Sequence, residues 1–314
     1  MKKPLIVLTG PTAAGKTELS IALAKKLNGA IISADSMQVY KYMNIGSAKI
    51  RPEEMQGISH YLVDVLDPRE EFHVARFQQM AKEALEEIYR NGQLPIVVGG
   101  TGFYIQALLK DIDFDESSGE LPCRKELEET ARREGGAVLY ERLKQVDPES
   151  AEAIHPNNVK RVIRALEFYQ ETGQPISLHN REQKEKQPPY TYVYFVLNDD
   201  RARLYERIDR RVDRMVEQGL VEEVRWLKEH GYDRSLVSMQ GLGYKELFPY
   251  LDGTCSLEEA VEIIKRDTRH FAKRQITWFK REPDVIWLNQ QEFGYDKEKI
   301  LKRMLELWEE RKKS

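Results

Sequence analysis

Between Gly10 and Thr17 the chain reads GPTAAGKT, a full match to the phosphate-cradling pattern G-x-x-x-x-G-K-[ST]. Each position has a physical task. Gly10 and Gly15 let backbone N–H groups turn inward onto a phosphate chain, and Pro11, Thr12, Ala13 and Ala14 complete the loop. Lys16 brings a positive charge to the outer phosphates, and the Thr17 hydroxyl is placed to ligate Mg²⁺. Two other segments could act beside this loop. Asp35 closes an apolar run, where a carboxylate can polarise metal-bound water or take a proton from an incoming nucleophile. The same residue type also caps helices. Gly99-Gly100-Thr101-Gly102 closes another apolar run, and serves either a ligand or a tight turn.

These groups need a scaffold that gathers them at one edge. Leu5-Ile6-Val7-Leu8, Ala30 to Ala34 and Pro95 to Val98 read as buried strands. The first is followed by a helix carrying Leu19, Ala22, Leu23 and Leu27 on one face. Helices are expected from Phe72 to Arg90, stopped by Asn91-Gly92, and from Phe103 to Lys110. Strands that alternate with helices, each continuously apolar, predict a parallel sheet covered by helices on both faces. Ligands of such α/β sheets bind beyond the carboxyl ends of the strands, where the loop, Asp35 and the glycine run would all lie.

The alternation breaks after residue 112. The acidic stretch Asp111 to Pro122 reads as an exit linker. From Arg124 to Thr172 there is helical periodicity only, clearest in Val159, Val162, Ile163 and Leu166. Arg181 to Pro189 is polar, ends Pro-Pro and reads as a return linker. The expected organisation is a phosphate-loop core of residues 1–112 and 190–314, interrupted by an all-helical insertion at 113–189. The core resumes with a strand at Tyr192 to Leu197. Helices are expected from Arg201 (Leu204, Ile208, Val212 and Met215 buried), from Leu220, and from Ser256 to Arg281 with Ser256 and Glu259 as a capping box. Val285 to Leu288 reads as a strand and Lys297 to Arg311 as a last helix.

Composition sets outer bounds. At 314 residues, 41% hydrophobic and 32% charged, the chain can bury a large core. No apolar run approaches the ~20 residues that span a bilayer, and the first apolar stretch is too short for a secretion signal. Two distant cysteines, Cys123 and Cys255, point to a reducing compartment, so a cytoplasmic protein is expected. No H-x-x-x-H or C-x-x-C pairing suggests zinc. A net charge of −3 leaves only local patches to hold nucleic acid. Two candidates exist. Arg266, Arg269, Lys273 and Lys280 step along one face of the Ser256–Arg281 helix, with Arg274 beside them and Phe271 and Trp278 on another face. Lys160, Arg161 and Arg164 lie opposite the apolar stripe of the insertion helix. Either could be a solvated face. Arg207 sits in an arginine-rich helix whose acids, Glu206, Asp209, Asp213 and Glu217, stand at pairing distance, so spacing alone does not single it out.

On these residues alone a small-molecule or nucleoside kinase and a nucleotide-gated RNA-binding protein both stay open, the kinase favoured because this loop is commonest in phosphoryl transfer. The ordered segments GPTAAGKT (10–17), ISADSMQVY (32–40), GGTGFY (99–104), HPNNVKRVIRALE (155–167), RIDRRVDRMVEQGLVEEV (207–224), GLGYKE (241–246) and TRHFAKRQITWFKR (268–281) resemble the tRNA dimethylallyltransferases across nearly the whole chain. The resemblance implies transfer of a dimethylallyl group from dimethylallyl diphosphate to the N6 amine of the adenine 3′ to the tRNA anticodon. It places the diphosphate, rather than ATP, in the loop, with Mg²⁺ on Thr17. Asp35 would face the amine, Ser36, Met37 and Gln38 would line the base pocket, and Thr101 would touch RNA nearby. Arg207 would meet the diphosphate. Arg124 and Lys160, Arg161 and Arg164 of the insertion would grip the anticodon stem-loop, with Lys273 and Arg274 as further RNA contacts. The expected partners are tRNA and the prenyl donor, with no membrane, and the expected state is a monomer.

Overall fold

The computed structural model describes residues 2–114 and 122–313. It divides into two compact units, residues 1–109 with 189–314 and residues 110–188.

In the first unit, β1 (Lys3–Thr9) leads through the glycine loop into α1 (Lys16–Leu27), followed by β2 (Gly29–Ala34). Then come α2 (Pro52–Met55), β3 (His60–Tyr61), α3 (Val74–Arg90), β4 (Leu94–Gly99) and α4 (Gly102–Lys110). The short α2 and β3 fall in a stretch where the sequence offers no periodicity. Two-residue β3 exists only because β2 supplies its partners, Ile31 opposite His60 and Ile32 opposite Tyr61.

The second unit is built of α5 (Pro122–Glu134), α6 (Gly136–Val146), α7 (Pro148–Ala153), α8 (Val159–Thr172) and α9 (Ile176–Glu185) around Leu127, Leu139, Leu143, Val162 and Leu166. The expected return linker at 181–189 is therefore helical as far as Glu185. Tertiary bonds hold this polar helix: Ser177 N–H donates to Asp147, and buried Gln183 accepts from the Asp113 N–H. Of the expected linker at 111–122, residues 115–121 lie outside the described residues.

The chain re-enters the first unit as β5 (Tyr190–Asn198), α10 (Arg201–Glu217), α11 (Leu220–Glu229), α12 (Leu247–Leu251), α13 (Leu257–Phe279), β6 (Val285–Asn289) and α14 (Lys297–Lys313). The six strands form one sheet in the order β3-β2-β4-β1-β5-β6, every pairing parallel. Strand side chains alternate between faces, and both faces are covered. Leu5, Val7, Ile32 and Val97 join a core with residues of α3, α4, α10, α11 and α13. Ile6, Leu8, Ile31 and Ile96 join another with α1 and α14. β1 lies between β4 and β5, and its glycine loop therefore emerges at the centre of the carboxyl rim, where the chain crosses to opposite halves of the sheet. No helix among the described residues is long and apolar enough to cross a membrane.

Candidate active site

The loop after β1 is shaped by its neighbours. A Cβ on Gly10 would fall 2.1 Å from the Leu197 carbonyl oxygen of β5, so only glycine lets the chain leave the sheet there. Lys16 Nζ donates to the carbonyls of Gly10 and Pro11, 2.9 Å each, which folds the loop around its own ammonium. Burial, and secondarily the charge of Arg211, lower the Lys16 pKa to about 8, while the carboxylate of Asp35 opposes them. Gln275 of α13 spans the rim: its Oε1 accepts the Thr12 N–H (2.8 Å) and its Nε2 donates to Gly100 O (2.9 Å). Gln290 Nε2 adds a bond to Ala14 O, 3.0 Å.

Above the loop opens a cavity of about 710 Å³, lined by Thr12, Ala13, Gly15, Lys16 and Thr17, with Asp35, Gln38, Gly99 and Gly100. Its opposite wall is α10, which projects Arg207, Arg210, Arg211 and Arg214 at helical spacing. The expected pairing within that helix holds only for Arg210 with Glu206. Asp209 and Asp213 turn instead to Arg269 and Lys265 of α13. That leaves Arg207, Arg211 and Arg214 without an ion pair to the helix's own acids among the described residues. Arg211 has no ion-pair partner among the described residues; burial lowers its pKa, and Asp35 opposes the shift. Five cations, Lys16, Arg207, Arg210, Arg211 and Arg214, outnumber the carboxylates of Asp35, Asp213 and Glu217 in this lining, and with the loop N–H groups the cavity suits a polyanion.

A second cavity, about 440 Å³, adjoins the first. Thr12, Asp35, Arg211, Phe271 and Gln275 belong to both walls. The rest of its lining is largely apolar or hydroxylic, including Ser36, Met37, Tyr40, Phe72, Thr101, Tyr104, Met215 and Ile264. Its size and lining suit a flat heteroaromatic group beside an apolar tail. Asp35 stands on the partition. Its Oδ1 accepts the N–H groups of Met37 (2.8 Å) and Gln38 (3.3 Å), as a capping carboxylate does, although the segment is a turn and not a helix. Oδ2 has no hydrogen-bond partner among the described residues.

Not every candidate lies where the resemblance put it. Gln38 faces the first cavity and not the second; its amide bonds Ala48 O (3.2 Å) and Ser33 Oγ (3.4 Å), tying down the loop after β2. The expected basic face of α13 is partly spent, because Arg266 pairs with Asp267 and Arg269 with Asp209. The basic groove is instead formed by His270, Lys273, Arg274 and Arg281 beside Thr277 and Trp278. Arg274 also reaches the second cavity. In the second unit, Arg124 and Arg164 share the buried carboxylate of Glu167, at 3.5 and 2.9 Å. Lys160 and Arg161 are exposed in the first turn of α8, without ion pairs among the described residues. Cations there oppose the helix dipole, a cost that a bound polyanion would offset.

Sequence reasoning missed Gln275 and Arg211 as site residues. Nothing local marks Gln275, since both its partners lie far away in sequence. Arg211 was visible only as one arginine among many. Its i+4 step from Arg207 is the signal that would have put it on the same face.

Comparison with known proteins gives one consistent picture. A family model described as IPP transferase matches residues 38–282. The chain is 64% identical over 309 residues to a tRNA dimethylallyltransferase of Lachnoclostridium phytofermentans, covering 98% of each chain. It is 52% identical over 300 residues to one of Acetivibrio thermocellus, covering 96% of each. The crystal structure of the full-length tRNA isopentenylpyrophosphate transferase of Bacillus halodurans is similar at 43% identity, with a TM-score of 0.74 and 99% of both chains covered. A eukaryotic dimethylallyltransferase crystallised acting on tRNA is similar at 35% identity and a TM-score of 0.81, over 91% of this chain and 74% of that one.

Proposed function

This chain belongs to the IPP transferase family, and from that we propose that it transfers a dimethylallyl group from dimethylallyl diphosphate to the N6 amine of the adenine 3′ to the tRNA anticodon, releasing diphosphate. Its relatives are named as tRNA dimethylallyltransferases and not as kinases, which sets the kinase reading aside. The observation that carries the site assignment is the partition at Asp35, with a cationic cavity on one side and a largely apolar one on the other.

The chemistry follows from that arrangement. An adenine amine is a weak nucleophile, and the donor's C1–O bond must lengthen before it attacks. Lys16, the loop N–H groups, Arg207 and Arg211 stabilise the charge that gathers on the leaving diphosphate. The N6–C1 bond forms as the C1–O bond breaks, and the amine proton passes to the free Oδ2 of Asp35. Thr17 lines the cavity, and its hydroxyl would help hold a Mg²⁺ ion there. When bound, the ion neutralises part of the diphosphate charge. The adenine must leave its stack to enter the second cavity, at a cost of a few kcal/mol that phosphate contacts elsewhere offset.

Those contacts are assigned to Lys273 and Arg274 in the groove of α13 and to Arg124, Lys160, Arg161 and Arg164 in the helical unit. A monomer is the expected state, and free Cys123 and Cys255 suit the cytoplasm. Incubation with tRNA and dimethylallyl diphosphate should add a C5 group to one adenosine, read by mass spectrometry of the digested nucleosides. Consumption of ATP in place of the prenyl donor would refute the assignment.

Reversing charge at Lys160 and Arg161 tests the RNA contacts without disturbing the Glu167 cluster. The double glutamate variant is expected to raise the KM for tRNA at least about tenfold and to flatten the log–log salt dependence of binding by roughly one to two units. An unchanged salt slope would make this a solvated face.

A further inference from the structure

We infer that Asp199 positions Arg207 for its contact with the leaving diphosphate, an inference that rests on reading the first cavity as the diphosphate site. Asp199 follows β5 directly, and its side chain is fully buried, 0% exposed. Oδ1 accepts the N–H of Asp200 at 2.8 Å. Oδ2 faces the guanidiniums of α10: Arg207 Nη1 donates to it at 3.3 Å, and Arg203 Nε lies 3.8 Å away.

The two arginines differ in what else they do. Arg203 is half exposed, and its guanidinium lies over the Tyr295 ring, 3.8 Å from the centroid. Arg207 reaches the loop, its Nη2 standing 3.1 Å from where a Cβ on Gly15 would be. One guanidinium thus bridges a buried carboxylate and the phosphate cradle. The contact has a physical necessity on both sides. A carboxylate sealed from water requires a cation. A long side chain left free in a cavity would lose rotamer entropy each time it met the substrate. Asp199 takes that freedom away beforehand, which is preorganisation of the charge that stabilises the leaving group.

The register is set by the backbone. Leu197 of β5 packs on Gly10 so closely that no Cβ fits between them, and Asp199 lies only two residues beyond. The carboxylate therefore moves with the cradle it serves. The acids of α10 nearest Arg207 in sequence do not replace it, since Glu206, Asp209 and Asp213 are held by Arg210, Arg269 and Lys265.

A double-mutant cycle tests this on the full-length enzyme with tRNA and the prenyl donor. Asp199→Asn keeps the shape and the acceptor for the Asp200 N–H but removes the charge. It is expected to lower kcat roughly 10- to 50-fold while changing the donor KM by less than about threefold. Asp199→Glu should recover part of the loss. In an Arg207→Ala background, Asp199→Asn should cost less than about twofold, because the residue it steers is gone. Thermal unfolding of each variant separates folding from chemistry, and if Asp199→Asn does not fold at the assay temperature, Asp199→Ser, which also lacks the charge, takes its place in the cycle under the same criteria. Turnover by Asp199→Asn within about twofold of the parent, or an equal loss in both backgrounds, overturns the inference. Arg207→Ala with parental turnover would overturn the diphosphate reading as well; an inactive Arg207→Ala beside a fully active Asp199→Asn overturns only the role of Asp199.

Discussion

Asp35→Ala is expected to lower kcat at least about 10²-fold while the affinity for the prenyl donor changes little. Asp35 sits on the wall common to both cavities with Oδ2 uncommitted, and there the proton released by the attacking amine needs an acceptor. In the proposed assignment Lys16, the loop and the arginines hold the donor's diphosphate, so losing Asp35 would leave that grip in place. The carboxylate has a second task that a bare alanine scan would confuse with the first, because Oδ1 holds the N–H groups of Met37 and Gln38. Asp35→Asn separates them. Its amide oxygen can still accept those N–H groups, yet it is no base. Single-turnover kinetics on both variants decide the matter. Equal losses in Asp35→Ala and Asp35→Asn assign the effect to the proton. An asparagine variant with parental turnover would reduce Asp35 to a turn residue.

Lys16→Ala is expected to reduce kcat/KM for the donor on the order of 10² to 10³-fold. The ammonium is the charge most deeply enclosed by the loop, where a poorly screened interaction with a polyanion is strong. The same enclosure predicts a pH dependence. Burial lowers the Lys16 pKa to about 8, so in the free enzyme the charge is present below that pH and is lost as pH rises through it. The donor KM should therefore climb above pH 8 in the parent, and Lys16→Arg should flatten the climb, since a guanidinium stays protonated. For stability the sign is opposite. A pKa depressed from 10.5 to about 8 means that the unfolded chain binds more protons between those values, so the free protein gains stability from Lys16 as pH rises through that window. A donor KM that stays flat from pH 7 to 9.5 would show that Lys16 keeps its proton throughout and would remove this account.

How far the sequence could be read depends on the range of the forces involved. The strands at Leu5–Leu8, Ala30–Ala34 and Pro95–Val98 were legible because burial on both sides demands continuous apolar runs, and each lies within an observed strand. The Ser256 capping box was legible because both its bonds close within three residues. Two-residue β3 and the polar helix α9 were not, since distant partners stabilise them.

The candidate site divides along the same line. The chain alone determined the phosphate loop, Asp35 at a strand end and the glycine run after β4, because a pattern of types at fixed spacing is a local property. Only the tertiary structure decided that α10 turns Arg207 and Arg211 toward that loop while Asp209 and Asp213 turn to α13. It decided too that Gln275 laces Thr12 to Gly100, that Gln38 faces the anion side, and that Asp199 anchors Arg207. The reason is physical. Charge partners are chosen by distance in space, and a helix presents each side chain at several spacings that the sequence leaves equally open until packing against its neighbours selects one.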